Sequence, residues 1–161
     1  MAHQAVRAII IKDNQLLVME RNKFGHRYFT LIGGGINIGE DAETALRREL
    51  HEESGLSVGQ IRHIFTEDAG DPFGRQYIFL CEYQGGEPVM RPDSDEAKIN
   101  ELGQNMYLPR WLPLADLKRV EFLSESLRQA LLNGISHGWP NSPVVLDWKE
   151  AVPIEPATTE S

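Results

Sequence analysis

Apolar positions along the chain recur in two rhythms, and each predicts its own elements. Residues 5–11 and 16–20 are short aliphatic runs separated by the polar turn Lys12-Asp13-Asn14-Gln15, which predicts the two strands of a hairpin. Residues 28–32 form an aromatic and β-branched run that feeds Gly33-Gly34-Gly35, a strand entering a glycine loop. Residues 58–66 and 76–83 read as strands again, with the turn-rich stretch 67–75 between them. Helical spacing takes over in residues 42–53, where Asp41 stands at the N-cap and Gly55 just beyond the end. It returns in 114–120 and 123–132, with Gly134 placed to end the second segment. Residues 84–105 read as a long loop before the run 106–112. After Trp139, four prolines predict an extended tail in which 144–148 pack and 155–161 fray.

This order predicts an α/β (α+β) chain, a mixed sheet covered by helices, with one domain over residues 1–138 and a tail over 139–161. At 161 residues there is material for one core. A 41% hydrophobic and 25% charged composition is that of a globular protein, so folding can be taken for granted.

Charge then narrows the partners. A net charge of −8 leaves no basic excess to displace counterions from a nucleic-acid duplex, so duplex binding is not expected. An anionic small molecule stays possible, because a bound divalent cation reverses the local sign of an acidic pocket. Cys81 is the sole cysteine, which excludes an internal disulfide and a thiolate zinc cluster. It lies in an apolar run and is expected to be buried. The early apolar run 8–11 is too short for a signal-peptide core or a membrane span, and a reducing, cytoplasmic setting is expected.

The chemistry concentrates in residues 34–56. With Glu49 as zero on a helical wheel, Glu52 falls at about −60° and Glu53 at about +40°, so three carboxylates share one face. Ala42, Ala45 and Leu46 lie on that same side, whereas Thr44, Arg47 and His51 point away. The acids therefore continue the inward stripe. Like charges at these spacings repel, and acids in a last turn oppose the helix dipole. A hard divalent cation is the simplest compensation, and a set without inward histidine or cysteine suits Mg2+, with Mn2+ as a substitute. Arg48 stands four residues before Glu52, either holding that carboxylate or forming an ordinary surface ion pair. Glu40, just before the helix, either ligates from the loop or favours the helix N-terminus. Gly34 and Gly35 let backbone approach a ligand closely, or simply make a tight turn.

The spacing Gly34-x5-Glu40-x7-Arg48-Glu49-Leu50-x-Glu52-Glu53-x-Gly55-Leu56 resembles the Nudix box at every specified position. The flanks agree, with residues 16–21 like the strand before the box and 111–114 like the strand-to-helix junction near the domain end. The resemblance implies an α/β/α sandwich around a mixed sheet, with Glu49, Glu52 and Glu53 as metal ligands, Arg48 orienting them and Gly34 positioning the loop. It also implies water attack on the diphosphate of a nucleoside diphosphate derivative, and a possible homodimer. The general base varies in this family, leaving Glu96, Glu101, Glu82 and Glu53 as candidates, Glu96 first. Arg21, Lys23, Arg27 and Arg75 are candidates for phosphate, and Phe29, Phe73 and Tyr77 for stacking on a base. Two other readings stand beside hydrolysis: a nucleotide-sensing module without activity, and an isoprenoid diphosphate isomerase, which needs a reactive cysteine in its pocket.

Overall fold

The computed structural model describes residues 3–70 and 74–149. Phe73 and residues 155–161 lie outside them. Four of the six residues of the first strand, β1 (Gln4–Ile9), are buried, on both of its faces, as expected of a strand covered on both sides. The predicted hairpin is shorter than residues 5–20. The chain leaves β1 at Ile10, and the hairpin pairs only β2 (Ile11–Lys12) with the start of β3 (Gln15–Lys23). Asp13 and Asn14, both at positive φ, make its two-residue turn. The predicted strand 28–32 likewise divides into β4 (His26–Thr30) and β5 (Ile32–Gly35), which belong to different sheets. In both places an unbroken apolar run conceals a crossing from one sheet to the other.

A 13-residue helix, α1 (Ala42–Ser54), follows the glycine strand. The Asp41 side chain accepts from the Thr44 N–H at its start, and left-handed Gly55 closes its end with bonds to the Leu50 and His51 carbonyls. Long strands β6 (Ser57–Asp68) and β7 (Arg75–Gly85) come next. The expected loop 84–105 contains a short helix, α2 (Asp95–Asn100), capped by Ser94. Then come β8 (Asn105–Pro113), a 3-10 turn (Leu114–Arg119), α3 (Glu125–His137) and β9 (Val144–Asp147).

One sheet has the order β5-β1-β7-β6-β9 and mixes parallel with antiparallel pairs. The other is antiparallel, with β3 pairing β2 and β4 in succession and β8 in addition. Two apolar clusters flank this framework. Val6, Ala8, Ile10, Leu17 and Ile32 pack with Ala45, Leu46 and Leu50 of α1, while Ile9, Leu16, Val18, Phe29 and Ile78 pack with Leu127 and Leu131 of α3. The α/β/α arrangement is thereby present, in two sheets rather than one. Gly134 does not end α3. It lies inside the helix, where a Cβ would meet the Trp139 ring at 2.2 Å, and Gly138 is the cap. The last strand runs parallel to β6, giving residues 144–147 a place at the sheet edge.

The approach of β5 to its neighbour leaves no tolerance at Gly33, whose added Cβ would stand 1.8 Å from the Val6 carbonyl oxygen. Because backbone cannot yield there without breaking the β1–β5 ladder, Gly33→Ala is expected to cost about 2–3 kcal/mol, the upper range for overpacking. Urea denaturation measures this; an unchanged midpoint would contradict the packing.

Candidate active site

Three carboxylates meet beside the C-terminal half of α1. Oxygens of Glu49, Glu53 and Glu96 lie within 4.8 Å of one another, and the first two residues are only 7% and 6% exposed. The helix supplies Glu49 and Glu53 one turn apart on its inward face. Glycine makes room for the first: a Cβ on Gly34 would fall 2.5 Å from the Glu49 carboxyl carbon, so the carboxylate occupies the space a side chain would take.

Glu96 arrives from a separate element that is tied down at both ends. The Val89 and Arg91 N–H groups donate to the Ser54 and Glu52 carbonyls, satisfying acceptors that the end of α1 leaves open. At the other end, the Asn100 amide accepts from the Tyr107 N–H and donates to the Tyr107 carbonyl. Between these ties, the N-cap at Ser94 starts α2 and puts Glu96 in its first turn.

Arg48 is not chiefly the partner of Glu52. Its guanidinium donates to both oxygens of Glu40 at 2.8 Å, to Glu49 Oε1 at 2.8 Å and to the Gly35 carbonyl at 2.9 Å, whereas Glu52 is 3.7 Å away. The box loop folds back so that Glu40 reaches Arg48 first, and the Asn37 N–H completes the carboxylate's shell. These bonds hold Glu40 down to about 2, with Arg48 the larger cause. Glu40 and Arg48 thus form a clamp joining loop, helix and glycine strand. Glu52, about a third exposed, lies outside the close trio.

Electrostatically the trio is costly. Burial pushes the Glu53 carboxyl well above the usual range, the charges of Glu96 and Glu49 push the same way, and Arg7 opposes them. Glu49 is also raised, mainly by burial and against the pull of Arg48. These are the surroundings in which a divalent cation fits: convergent oxygens, little solvent and repulsion that Arg7 and Arg48 relieve only in part.

The trio opens into a cleft of about 370 Å³ lined also by Arg7, Arg21, Lys23, Tyr28, Asn105 and Tyr107. Arg21 lies 3.7 Å from the Tyr107 ring centroid and donates to Asn105. Other predicted residues lie elsewhere. Arg27 falls on the opposite face of β4 from Tyr28 and pairs with Glu20 at 3.0 Å, and Arg75 pairs with Asp68 at 3.8 Å. Phe29 is buried in the core beside α3, and Tyr77 is half-buried beneath the Gln4 amide. Glu82 and Glu101 are exposed and do not line the cleft, and His51 is exposed as expected. Cys81 is buried away from it, its thiol pushed up to about 12 by burial, which leaves the isomerase reading without its cysteine.

Sequence reasoning missed Arg7, Asn105 and Tyr107. Arg7 did carry a signal, as the lone charge within the apolar run 5–11. Its Nε donates to Gln76 and Nη1 to the Leu31 carbonyl, and burial lowers its pKa despite the nearby acids.

A carboxylate-lined helix braced on a glycine strand, within this two-sheet sandwich, defines the class: the sequence model of the NUDIX domain matches residues 1–131, and the chain belongs to the Nudix family. Among individual proteins, it is 28% identical over 120 residues to the NAD-capped RNA hydrolase NudC of Vibrio atlanticus, covering 73% of this chain and 44% of that one. The NudC of Photobacterium profundum is 29% identical over 126 residues, or 78% and 46%. The chain thus spans about half the length of the curated relatives it matches. In fold it resembles a structure of MutT from a study of Aliivibrio salmonicida and Vibrio cholerae, with TM-score 0.61, 20% identity and coverage of 83% and 95%. A MutT protein from Bacillus halodurans gives 0.60 at 14% identity, covering 93% and 94%. Among the described residues, no helix is long and apolar enough to cross a membrane.

An acid whose pKa rises on folding weakens the fold as pH rises. The penalty is absent below the ordinary carboxylate value of 4.5 and is complete above the raised one. Without divalent ions, Glu53→Gln is therefore expected to melt on the order of a few degrees above the wild type at about pH 8, with the gap closing towards pH 4.5. Added magnesium should raise the wild type more than the variant. Parallel melting curves across pH would refute the assigned cost.

Proposed function

We propose that the chain is a Mg2+-dependent hydrolase, with Mn2+ as a substitute ion, that cleaves the diphosphate linkage of a nucleoside diphosphate derivative in the cytoplasm. The observation that carries this reading is the trio of Glu49, Glu53 and Glu96 in a cleft that also holds Arg7, Arg21 and Lys23. The naming of the relatives as hydrolases of NAD-capped RNA supports a nucleotide substrate.

Glu49 and Glu53 would hold the ion, joined by Glu52 from the rim. When bound, the ion supplies charge neutralisation on the diphosphate and acidifies water. The chain's own groups do the rest. Glu96, carried by a different element from the other two, is the proton acceptor for the attacking water. As the water oxygen bonds to phosphorus, the bridging P–O bond breaks and the freed phosphate leaves. Arg7, Arg21 and Lys23 line the same cleft and would meet the phosphates there, while Arg48, through Glu40 and Gly35, fixes the rotamer of Glu49. Arg27 does not line the cleft and pairs with Glu20 instead.

A panel of nucleoside triphosphates, dinucleotides and nucleoside diphosphate sugars with magnesium tests the reading. Glu53→Gln and Glu49→Gln should each lower kcat/KM by about a hundredfold or more, with Mg2+ affinity falling in parallel. Glu96→Gln should lower kcat by about 10²–10⁴-fold. Nucleotide binding without turnover of any compound would make the chain a sensing module instead.

A further inference from the structure

Arg7 is the one charged residue of β1, set between Val6 and Ala8, both fully enclosed. Its cross-strand partners are Gly33 on β5 and Ile78 on β7, and neither carries a charge to neutralise it. A cation in a strand covered on both sides is ordinarily paired with an acid, because desolvation is otherwise uncompensated. Arg7 is held differently. Among the described residues it makes no ion pair: its Nε donates to the Gln76 amide oxygen at 3.0 Å and its Nη1 to the Leu31 carbonyl at 3.3 Å, both neutral acceptors. Nη2 takes no partner among the described residues, and the side chain lines the cleft that holds Glu49, Glu53 and Glu96. Glu53 and Glu49 act on it through charge rather than through a hydrogen bond.

Arg48 shows the contrary arrangement. It bonds Glu40 and Glu49 directly, so its charge is neutralised within the box. The charge of Arg7 is left to act across the cleft, and it acts in opposite directions on the two things the cleft would hold. It repels a divalent ion at the carboxylates and attracts a diphosphate. Because the force scales with charge, a doubly charged ion feels Arg7 twice as strongly as a proton at the same place does, so the effect on the ion outweighs the effect on competing protons. Gln76 and the Leu31 carbonyl keep the guanidinium from swinging away. Its repulsion is relieved when anionic oxygens arrive to pair with the remaining N–H groups.

We propose that Arg7 couples the two binding events: alone it holds the carboxylate trio at low affinity for a divalent ion, and a diphosphate that pairs with it lifts that opposition, so ion and substrate each strengthen the other. By linkage the enhancement is equal in both directions. The inference rests on the hydrolase reading for placing an ion and a diphosphate in the cleft, and it goes further in giving Arg7 a restraining role towards the ion.

Calorimetry of the full chain at about pH 8, where the carboxylates are largely ionised, tests it with Mg2+ alone, methylenediphosphonate alone, and the two together. Arg7→Gln should bind Mg2+ alone about tenfold tighter than the wild type and methylenediphosphonate alone about tenfold weaker. The gain in Mg2+ affinity that methylenediphosphonate brings, corrected for the complex the two form in solution, should shrink about tenfold in the same variant. Arg7→Lys, which keeps the charge, should stay within about threefold of the wild type for Mg2+ alone. Mg2+ affinity in Arg7→Gln equal to or below that of the wild type, or tightening in Arg7→Lys as large as in Arg7→Gln, would overturn the proposal. If Arg7→Gln fails to fold, Gln76→Glu carries the same test, since it keeps an acceptor for the Arg7 Nε–H while neutralising the guanidinium. It should tighten Mg2+ and weaken methylenediphosphonate together, and unchanged affinities overturn the proposal. Failure of the hydrolase reading would show separately, as absence of Mg2+-dependent turnover across the nucleotide panel while these opposed shifts persist.

Discussion

The Glu49 carboxylate occupies the volume where a side chain on Gly34 would stand, and much of the molecule is arranged around that contact. A helix can bring a charged group this close to a strand only if the strand carries no Cβ and the carboxylate is held in one rotamer. Arg48 meets the second condition by bonding Glu49, Glu40 and the Gly35 carbonyl together. Gly33 extends the same requirement one residue back, against the backbone of β1. The box loop is therefore a brace as much as a binding element.

Crowding acids in a half-dry space disfavours the empty site, and the fold absorbs that cost elsewhere. Two apolar clusters, one under α1 and one under α3, secure the framework from both sides. The cations that meet the acids are likewise fixed by the framework: Arg7 by Gln76 and Leu31, Arg21 by Asn105 and the Tyr107 ring. Such fixed dipoles and charges need little reorganisation when a charged ligand arrives, which is the electrostatic condition for fast chemistry on phosphates.

Much of the site was legible because helical periodicity is local. The inward face of residues 42–53 and the outward turn of His51 follow from 100° per residue, and the caps follow from the residue types at Asp41 and Gly55. The partners of Arg48 did not, since Glu40 reaches it through a loop whose path no periodicity describes. Strand content was also readable, but not the sheet to which each strand belongs: residues 5–11 and 28–32 are continuous apolar runs in which a change of sheet at Ile10 or Leu31 leaves no mark. Gly134 misled for a related reason. Glycine near a helix end has two uses, as a left-handed cap or as clearance for a neighbour, and only the position of Trp139 shows that the second applies.

Trp148 lines a small cavity together with Glu67, Ser124 and Leu127, yet it lies 17 residues beyond Leu131, where the family match ends. Part of the cavity's wall therefore comes from chain outside the matched domain, whereas the carboxylate trio lies wholly within it. Substitutions in the closing segment can thus reshape that cavity while the carboxylate trio stays as it is.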